Sequence, residues 1–170
     1  IDVDHFKTFN DQFGHDTGDL VLREVGALMY EVFRGDMSPC RIGGEEFVVI
    51  CGESDREEIE FAARKFREQL QTLEIPTANA KLPKITVSQG IALAEGATKT
   101  ALDVLKLAYK ALYAAKADGR DCIRDFAELG EQAAQLSLLD QNPMSDSDTS
   151  EALDTIRERF GSEAVSWGSV

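Results

Sequence analysis

Hydrophobic positions along the first part of the chain alternate between strand-like and helix-like spacing. The opening residues 1–4 are typical of the end of a strand. After a helix start signal at 16–18, apolar residues recur every three or four positions, which predicts an amphipathic helix. This apolar face consists of Leu20, Val21, Val25, Leu28, Met29, Val32 and Phe33.

Two short apolar runs, 40–42 and 47–51, flank Gly43-Gly44-Glu45-Glu46 and predict a β-hairpin. Ser54 or Asp55 can cap a second long helix. The inner face of that helix is predicted to hold Ile59, Ala62, Phe66, Leu70 and Leu73.

The next segment predicts a strand, a helix and a closing strand. Residues 85–93 alternate as a strand requires. Thr100 and Asp103 resemble a capping box that opens a helix, Gly119 ends it, and 120–126 predicts the last strand. The order β-α-β-β-α-β-α-β with a hairpin favours an α+β fold over a doubly wound parallel one. We expect a mixed, largely antiparallel central sheet covered by helices.

Composition changes near residue 130. From residue 128 onward the chain has nine acidic residues and only two basic ones, Arg157 and Arg159. Residues 142–150 have the polar composition of a linker. We therefore predict a domain over 1–127, an acidic flexible linker over 128–150 and a short helical tail over 151–170.

Charge and cysteine content narrow the class of protein. The formal net charge of −13 disfavours broad binding to nucleic acid or anionic membranes, so no direct nucleic-acid partner is expected. Cys40, Cys51 and Cys122 form no C-x-x-C pair, which suggests small buried side chains in a reducing cytoplasm.

No apolar stretch reaches the roughly 18 residues of a membrane span, and no secretory leader is visible. Because the chain opens at Ile1 in strand-like sequence, we expect a fragment of a longer protein, with a sensor domain or membrane anchor upstream.

Two carboxylate sets stand at strand ends or turns. If the strands carrying Asp2-Val3-Asp4 and Glu45-Glu46 are neighbours, Asp2 and Glu45 converge. Two carboxylates and a backbone carbonyl form a suitable site for Mg²⁺. The alternative is that these acids are simply solvated at turns; the preceding glycines weigh against it, because glycine lets backbone approach a ligand closely.

Residues 6–19 concentrate amides, carboxylates and glycines between a strand and a helix, and we interpret this segment as a functional loop. Asn10 and Asp19 together suit the edge of a guanine, although each alone also suits a turn or cap. His15 is better explained by a turn hydrogen bond than by catalysis. Lys116 and Arg120, four residues apart, could hold a polyphosphate or simply stabilise a helix C-terminus.

Five ordered blocks together resemble one family, from residue 1 to about 126. The similarity is to the GGDEF diguanylate cyclase domain, a palm-like nucleotide cyclase fold, here N-terminally truncated. The blocks are Asp2-Val3-Asp4-His5-Phe6-Lys7; Asn10-Asp11 with Gly14-His15-Asp16 and Gly18-Asp19; Arg41-Ile42-Gly43-Gly44-Glu45-Glu46-Phe47; Thr86-Val87-Ser88-Gln89-Gly90; and Ala111-Leu112-Tyr113 with Ala115-Lys116 and Gly119-Arg120.

The resemblance implies condensation of two GTP into cyclic di-GMP with release of pyrophosphate, by a homodimer joined through its active-site faces. It implies Mg²⁺ (or Mn²⁺) held by Asp2, the Val3 carbonyl and Glu45, with Glu46 at a second metal or activating the attacking 3′-hydroxyl. The substrate-binding residues it implies are Asn10 and Asp19 for guanine; the backbone of His5 and Phe6, with Lys7, Lys116 and Arg120, for the phosphates; and Gly43 and Gly44 against the nucleotide.

Three positions depart from the family pattern. Met37 stands where the Arg-x-x-Asp product-inhibition site has its aspartate, which puts feedback inhibition there in doubt. Tyr109 replaces an aspartate of the last helix, and Asp121 replaces an asparagine. With the family's first helix and most of its first strand missing, the alternative function is a catalytically silent GTP-binding or dimerising module.

The tail suggests a different partner. Residues Gln135–Leu139 are similar to the peptide by which bacterial replication proteins dock on the sliding clamp, and 154–161 resembles the end of Y-family DNA polymerases. A clamp-binding accessory protein is therefore a further alternative, against the simpler interpretation of an amphipathic helix after a linker.

Overall fold

The computed structural model describes residues 1–75, 82–94 and 100–130, together with Asp154 and Glu158. Helices and short strands alternate along these residues in an α+β arrangement, as the sequence predicted. The elements are β1 (Asp2–Val3), α1 (Phe6–Phe13), α2 (His15–Val32), β2 (Met37–Arg41), β3 (Phe47–Cys51), α3 (Arg56–Thr72), β4 (Val87–Ile91), α4 (Ala101–Ala117) and β5 (Ile123–Asp125).

The chain divides into two compact units, Ile1–Ser88 and Gln89–Val170. In the first unit, β2 and β3 form the predicted hairpin, with Arg41 opposite Phe47. Strand β1 pairs antiparallel with the start of β4, where Asp2 lies opposite Ser88. On its other side β1 meets the hairpin, because Ile1 and Phe47 exchange two backbone hydrogen bonds of 2.9 Å. Strand β1 therefore lies between the hairpin and β4.

The core of the first unit is formed by the apolar faces of α1, α2 and α3 together with β1 and β4. The predicted helical spacing is confirmed, since Val21, Val25 and Met29 of α2 have no exposed surface. Helix α3 contributes Phe66, also fully buried, whose ring lies 5.5 Å from that of Phe33. This packing holds the helices against β1, which carries Asp2, and against the β2–β3 hairpin.

The second unit is organised by α4. The expected capping box is present, because the Thr100 hydroxyl oxygen accepts from the Asp103 N–H at 3.2 Å and the Asp103 carboxylate accepts from the Thr100 N–H at 3.0 Å. At the other end Gly119 adopts φ +106°, and the Arg120 N–H donates to the Ala115 carbonyl at 3.0 Å, a Schellman-type ending. Residues Gln89–Ile91 of β4 pair in parallel with β5. The sheet pairings are thus mixed, as predicted.

One interpretation from the sequence was wrong: much of the segment interpreted as a loop is helix α1. Phe6, Phe9 and Phe13 are spaced three and four residues apart and form an apolar stripe; Phe6 and Phe9 are buried. The polar residues between them obscured this periodicity. Gly14, at φ +84°, separates α1 from α2.

Boundaries also shifted. Helix α2 begins at His15, β2 begins at Met37 rather than at residue 40, and β4 and β5 are shorter than predicted.

Cys40 is buried, whereas Cys51 and Cys122 are half-buried; burial raises the pKa of the Cys51 thiol to about 11.

The tail predictions fall almost entirely outside the described residues. These include the clamp-like segment Gln135–Leu139 and most of the polymerase-like segment. Among the residues described, no helix combines the length and the apolar character that crossing a membrane would require.

Candidate active site

Two acidic side chains are brought together where β1 meets the hairpin. Asp2 lies directly opposite Glu46 in an antiparallel bridge, so both side chains project from the same face of the sheet. The neighbouring Val3 points into the core and is 2% exposed, consistent with the alternation of side chains along a strand. Asp2 and Glu46 therefore share the face opposite to the Val3 side chain, and on that face Asp2 is only 6% exposed.

The glycine turn fixes the position of the paired glutamates. The Val3 N–H donates to the Glu45 carbonyl at 3.2 Å, and the Glu46 carbonyl accepts from the Ile42 N–H at 3.0 Å and the Gly43 N–H at 3.4 Å. A Cβ placed on Gly43 would lie 3.1 Å from Glu46 Oε2, so a side chain there would crowd this carboxylate. At Gly44 a Cβ would meet nothing within 4 Å.

The turn that holds Glu45 lies beside β1, because the Glu45 carbonyl accepts from the Val3 N–H. The residue directly opposite Asp2, however, is Glu46, while Glu45 is tied to β1 through its backbone carbonyl.

Asp4, which the sequence grouped with Asp2, has a different environment. It is buried, and its two carboxylate oxygens accept hydrogen bonds from the Thr86 hydroxyl at 2.9 Å and the Ser88 hydroxyl at 2.7 Å. These bonds tie β1 to the chain entering β4. Sequence reasoning gave Thr86 and Ser88 no role; a buried aspartate beside a strand of hydroxyl residues is the signal that could have suggested one.

The donors at this junction suit a magnesium ion shared with a phosphorylated substrate. Within the ranges described, no group of three or more His, Cys, Asp or Glu side chains is arranged to hold a metal by itself. Mg²⁺ is commonly bound by one or two carboxylates plus substrate phosphates and water, and does not need such a cage. Two carboxylates on one face, beside exposed backbone of a glycine turn, therefore fit Mg²⁺ or Mn²⁺.

Where α1 packs on α2, Asn10 lies against Gly18, the residue before Asp19. A Cβ on Gly18 would collide with Asn10 Oδ1, so the Asn10 amide keeps this position only while residue 18 has no side chain. Asn10 Oδ1 is buried with no hydrogen-bond partner. Such an atom costs roughly 1–3 kcal/mol when it has no partner, and a bound ligand or an ordered water can supply one. Asp19 is the next residue along α2 and is exposed.

The backbone that the sequence predicts to bind phosphate lies at the start of α1. His5 precedes the helix with φ +57° and makes no side-chain cap, so the first-turn N–H groups have no capping side chain. Phe6 contributes only backbone, because its side chain lies in the core, while Lys7 is exposed. An uncapped helix N-terminus with a nearby lysine suits an anion.

The remaining basic candidates lie in the second unit. Lys116 is in the last turn of α4, and Arg120 follows it at φ +66°, with Asp121 at φ +45°. Positive φ is unfavourable for a residue such as arginine and often accompanies a functional constraint. His15 is the exposed first residue of α2.

Comparison with known proteins gives a consistent result. A family model described as the GGDEF domain of diguanylate cyclases matches residues 1–122. The response regulator PleD of Caulobacter vibrioides is 37% identical over 124 residues, covering 72% of this chain and 27% of PleD. Diguanylate cyclase DosC of Escherichia coli is 34% identical over 121 residues, covering 71% of this chain and 26% of DosC. The chain thus spans about a quarter of the length of these relatives.

Solved structures agree. The GGDEF domain of DgcB from Caulobacter crescentus, determined in complex with c-di-GMP, superposes with a TM-score of 0.69 at 31% identity, covering 75% of each chain. The active GGEEF domain of a diguanylate cyclase from Vibrio cholerae gives a TM-score of 0.65 at 29% identity, covering 74% of this chain and 78% of that one. The matched segment contains the Asp2–Glu46 junction, the glycine turn and both helices of the Asn10 site, and the chain belongs to the GGDEF family of diguanylate cyclase domains.

Proposed function

We propose that this chain is the catalytic domain of a diguanylate cyclase, which condenses two GTP molecules into cyclic di-GMP and releases two pyrophosphates. The observation that carries the proposal is the Asp2–Glu46 pair beside the Gly43–Gly44 turn. In each of two equivalent steps, the 3′-hydroxyl oxygen of one GTP attacks the α-phosphorus of the other. The bond from that phosphorus to the β-phosphate oxygen breaks, pyrophosphate leaves, and the hydroxyl proton passes to a base.

The acidic residues would hold the metal and prepare the nucleophile. Asp2, the Val3 carbonyl and Glu45 would bind Mg²⁺ or Mn²⁺, and Glu46 would bind a second metal or accept the hydroxyl proton. When bound, the cation would neutralise charge on the phosphates and leaving group. Catalysis then depends on how firmly β1 and the hairpin hold these side chains.

The other candidates would bind and orient GTP. Asn10 and Asp19 would recognise the guanine edge. The backbone of His5 and Phe6, with Lys7, would bind the phosphates, and Lys116 and Arg120 of the second unit are proposed phosphate contacts as well. Each domain would bind one GTP, so the active species would be a homodimer whose active-site faces meet.

The decisive experiment incubates the full chain with GTP and Mg²⁺ and measures cyclic di-GMP and pyrophosphate by chromatography. Glu45→Gln should lower turnover at least about 100-fold, because a metal ligand is lost while size is kept. Glu31→Gln, an exposed glutamate of α2, is the matched control and should behave as the parent chain. GTP binding without product from the folded parent chain would reject the cyclase proposal in favour of a silent binding module.

A further inference from the structure

The Arg41 side chain clamps the glycine turn from outside. Its Nε donates to the Gly43 carbonyl and to the Gly44 carbonyl, each at 3.1 Å, and its Nη2 donates to the Gly44 carbonyl at 2.8 Å. One guanidinium therefore binds two successive peptide carbonyls. Arg41 is itself anchored as the last residue of β2, opposite Phe47, the first residue of β3.

This clamp sets the direction of two peptide planes. In a trans peptide the carbonyl and the following N–H point to opposite sides, and the described chain contains no cis peptide. Holding the Gly43 and Gly44 carbonyls on Arg41 directs the N–H groups of Gly44 and Glu45 away from the guanidinium. The Arg41 side chain thus fixes the orientation of the backbone that leads into Glu45.

The turn needs such a restraint because its sequence is permissive. Two adjacent glycines have a wide choice of backbone conformation, and a Cβ at Gly44 would touch nothing within 4 Å, so packing does not constrain that residue. A planar guanidinium with several fixed donors is suited to this task, since its fork loses less freedom per hydrogen bond than a lysine does.

The restraint passes directly to the acidic pair. The clamped Gly43 donates its N–H to the Glu46 carbonyl and lies against the Glu46 carboxylate. Glu46 in turn stands opposite Asp2. Arg41, Gly43 and Glu46 therefore form a short chain of contacts that ends at the proposed metal site.

We propose that Arg41 is a positioning residue: by binding the Gly43 and Gly44 carbonyls it holds the turn in the one conformation that places Glu45 and Glu46 for catalysis. This rests on the proposed cyclase function for its kinetic consequences, but the ordering of the turn does not depend on that function.

The test compares Arg41→Ala and Arg41→Lys with Arg23→Ala, which removes an exposed arginine of α2 and makes the same change in net charge as Arg41→Ala. Amide hydrogen exchange of Ile42 and Gly43, which donate to the Glu46 carbonyl, is measured by NMR on the full chain without nucleotide. Turnover, KM for GTP and the melting temperature are measured in parallel.

For Arg41→Ala we expect faster exchange at both amides and a kcat lower by roughly 10–100-fold, the range typical of residues that orient metal ligands. KM should change less than about threefold and the melting temperature should match Arg23→Ala, because the side chain is exposed. Arg41→Lys should fall between, since an ammonium can bind a carbonyl but lacks the fork.

Exchange and kcat equal to those of Arg23→Ala would overturn the proposal, as would a raised KM with unchanged kcat, which would make Arg41 a substrate contact. Should Arg41→Ala not fold, Arg41→Lys decides: a lowered kcat in a folded chain supports positioning, and parental kcat rejects it. If the parent chain makes no product, the cyclase proposal fails alone, and the exchange rates still decide whether Arg41 orders the turn.

Discussion

Asn10 and Gly18 are a pair in which one residue makes room for the other. The absence of a side chain on Gly18 lets the Asn10 amide lie against α2, and Asn10 Oδ1 is buried there without a partner. A buried polar atom nearly always has a partner, which can be a bound ligand or an ordered water. The arrangement is consistent with an amide held ready for a nucleobase.

Substituting Gly18 tests this pairing. We expect Gly18→Ala to destabilise the fold by about 1–3 kcal/mol through overpacking, and to weaken GTP binding roughly tenfold as Asn10 is displaced. Denaturant unfolding and nucleotide titration measure the two effects.

Gly26→Ala is the matched control, because Gly26 lies in the same helix and a Cβ there would meet nothing within 4 Å. That change should be neutral or stabilise by up to about 1 kcal/mol. Equal GTP affinity in the two variants would contradict the proposed role of the Asn10–Gly18 contact.

At the scale of elements, the capping residues were the best guides to helix starts. Thr100–Asp103 was predicted and is present; Asp55 caps α3, with Glu58 completing a second box. Such signals are local, so they can be identified in one sequence. Helix α1 was missed because its three phenylalanines are separated by polar residues that resembled a functional loop.

The candidate site shows what local sequence signals cannot predict. Its residue types could be identified from the sequence, since carboxylates beside glycines at a turn suggest a metal. Their pairing could not: that Asp2 faces Glu46 depends on register between β1 and the hairpin, and a slip of one residue would exchange Glu45 for Glu46. The hydroxyl bonds to Asp4 likewise depend on long-range contact.

The close approach of β4 and α4 is a property of both elements together. A Cβ on Gly90 would collide with the backbone of Ala108 and Leu112, and helix backbone cannot move aside as a flexible side chain can. We expect Gly90→Ala to cost roughly 3 kcal/mol or more in unfolding free energy, measured by denaturant titration. A loss below about 1 kcal/mol would show that α4 shifts easily.

For the whole molecule, the proposed reaction requires two nucleotide-loaded domains. The Glu46→Gln variant should be inactive yet able to dimerise. When it is added in excess, each molecule of the parent chain should therefore make less cyclic di-GMP. Dilution of the parent chain should lower its specific activity for the same reason. Specific activity that is unchanged by both treatments would contradict a shared active site; an excess of Glu31→Gln is the control for added protein.

The junction of β1 with the hairpin also has a consequence for folding. Like charges directly opposite each other weaken the pairing of strands, and Asp2 and Glu46 stand in this position. A bound divalent cation would join the two strands and stabilise the folded chain by mass action, about 2.7 kcal/mol at a hundred times its dissociation constant. The melting temperature should therefore rise with magnesium concentration, and an unchanged value at saturating magnesium would contradict this. The cation needed for catalysis would then also hold β1 and the hairpin together. The magnesium concentration would therefore set the stability of this strand pairing.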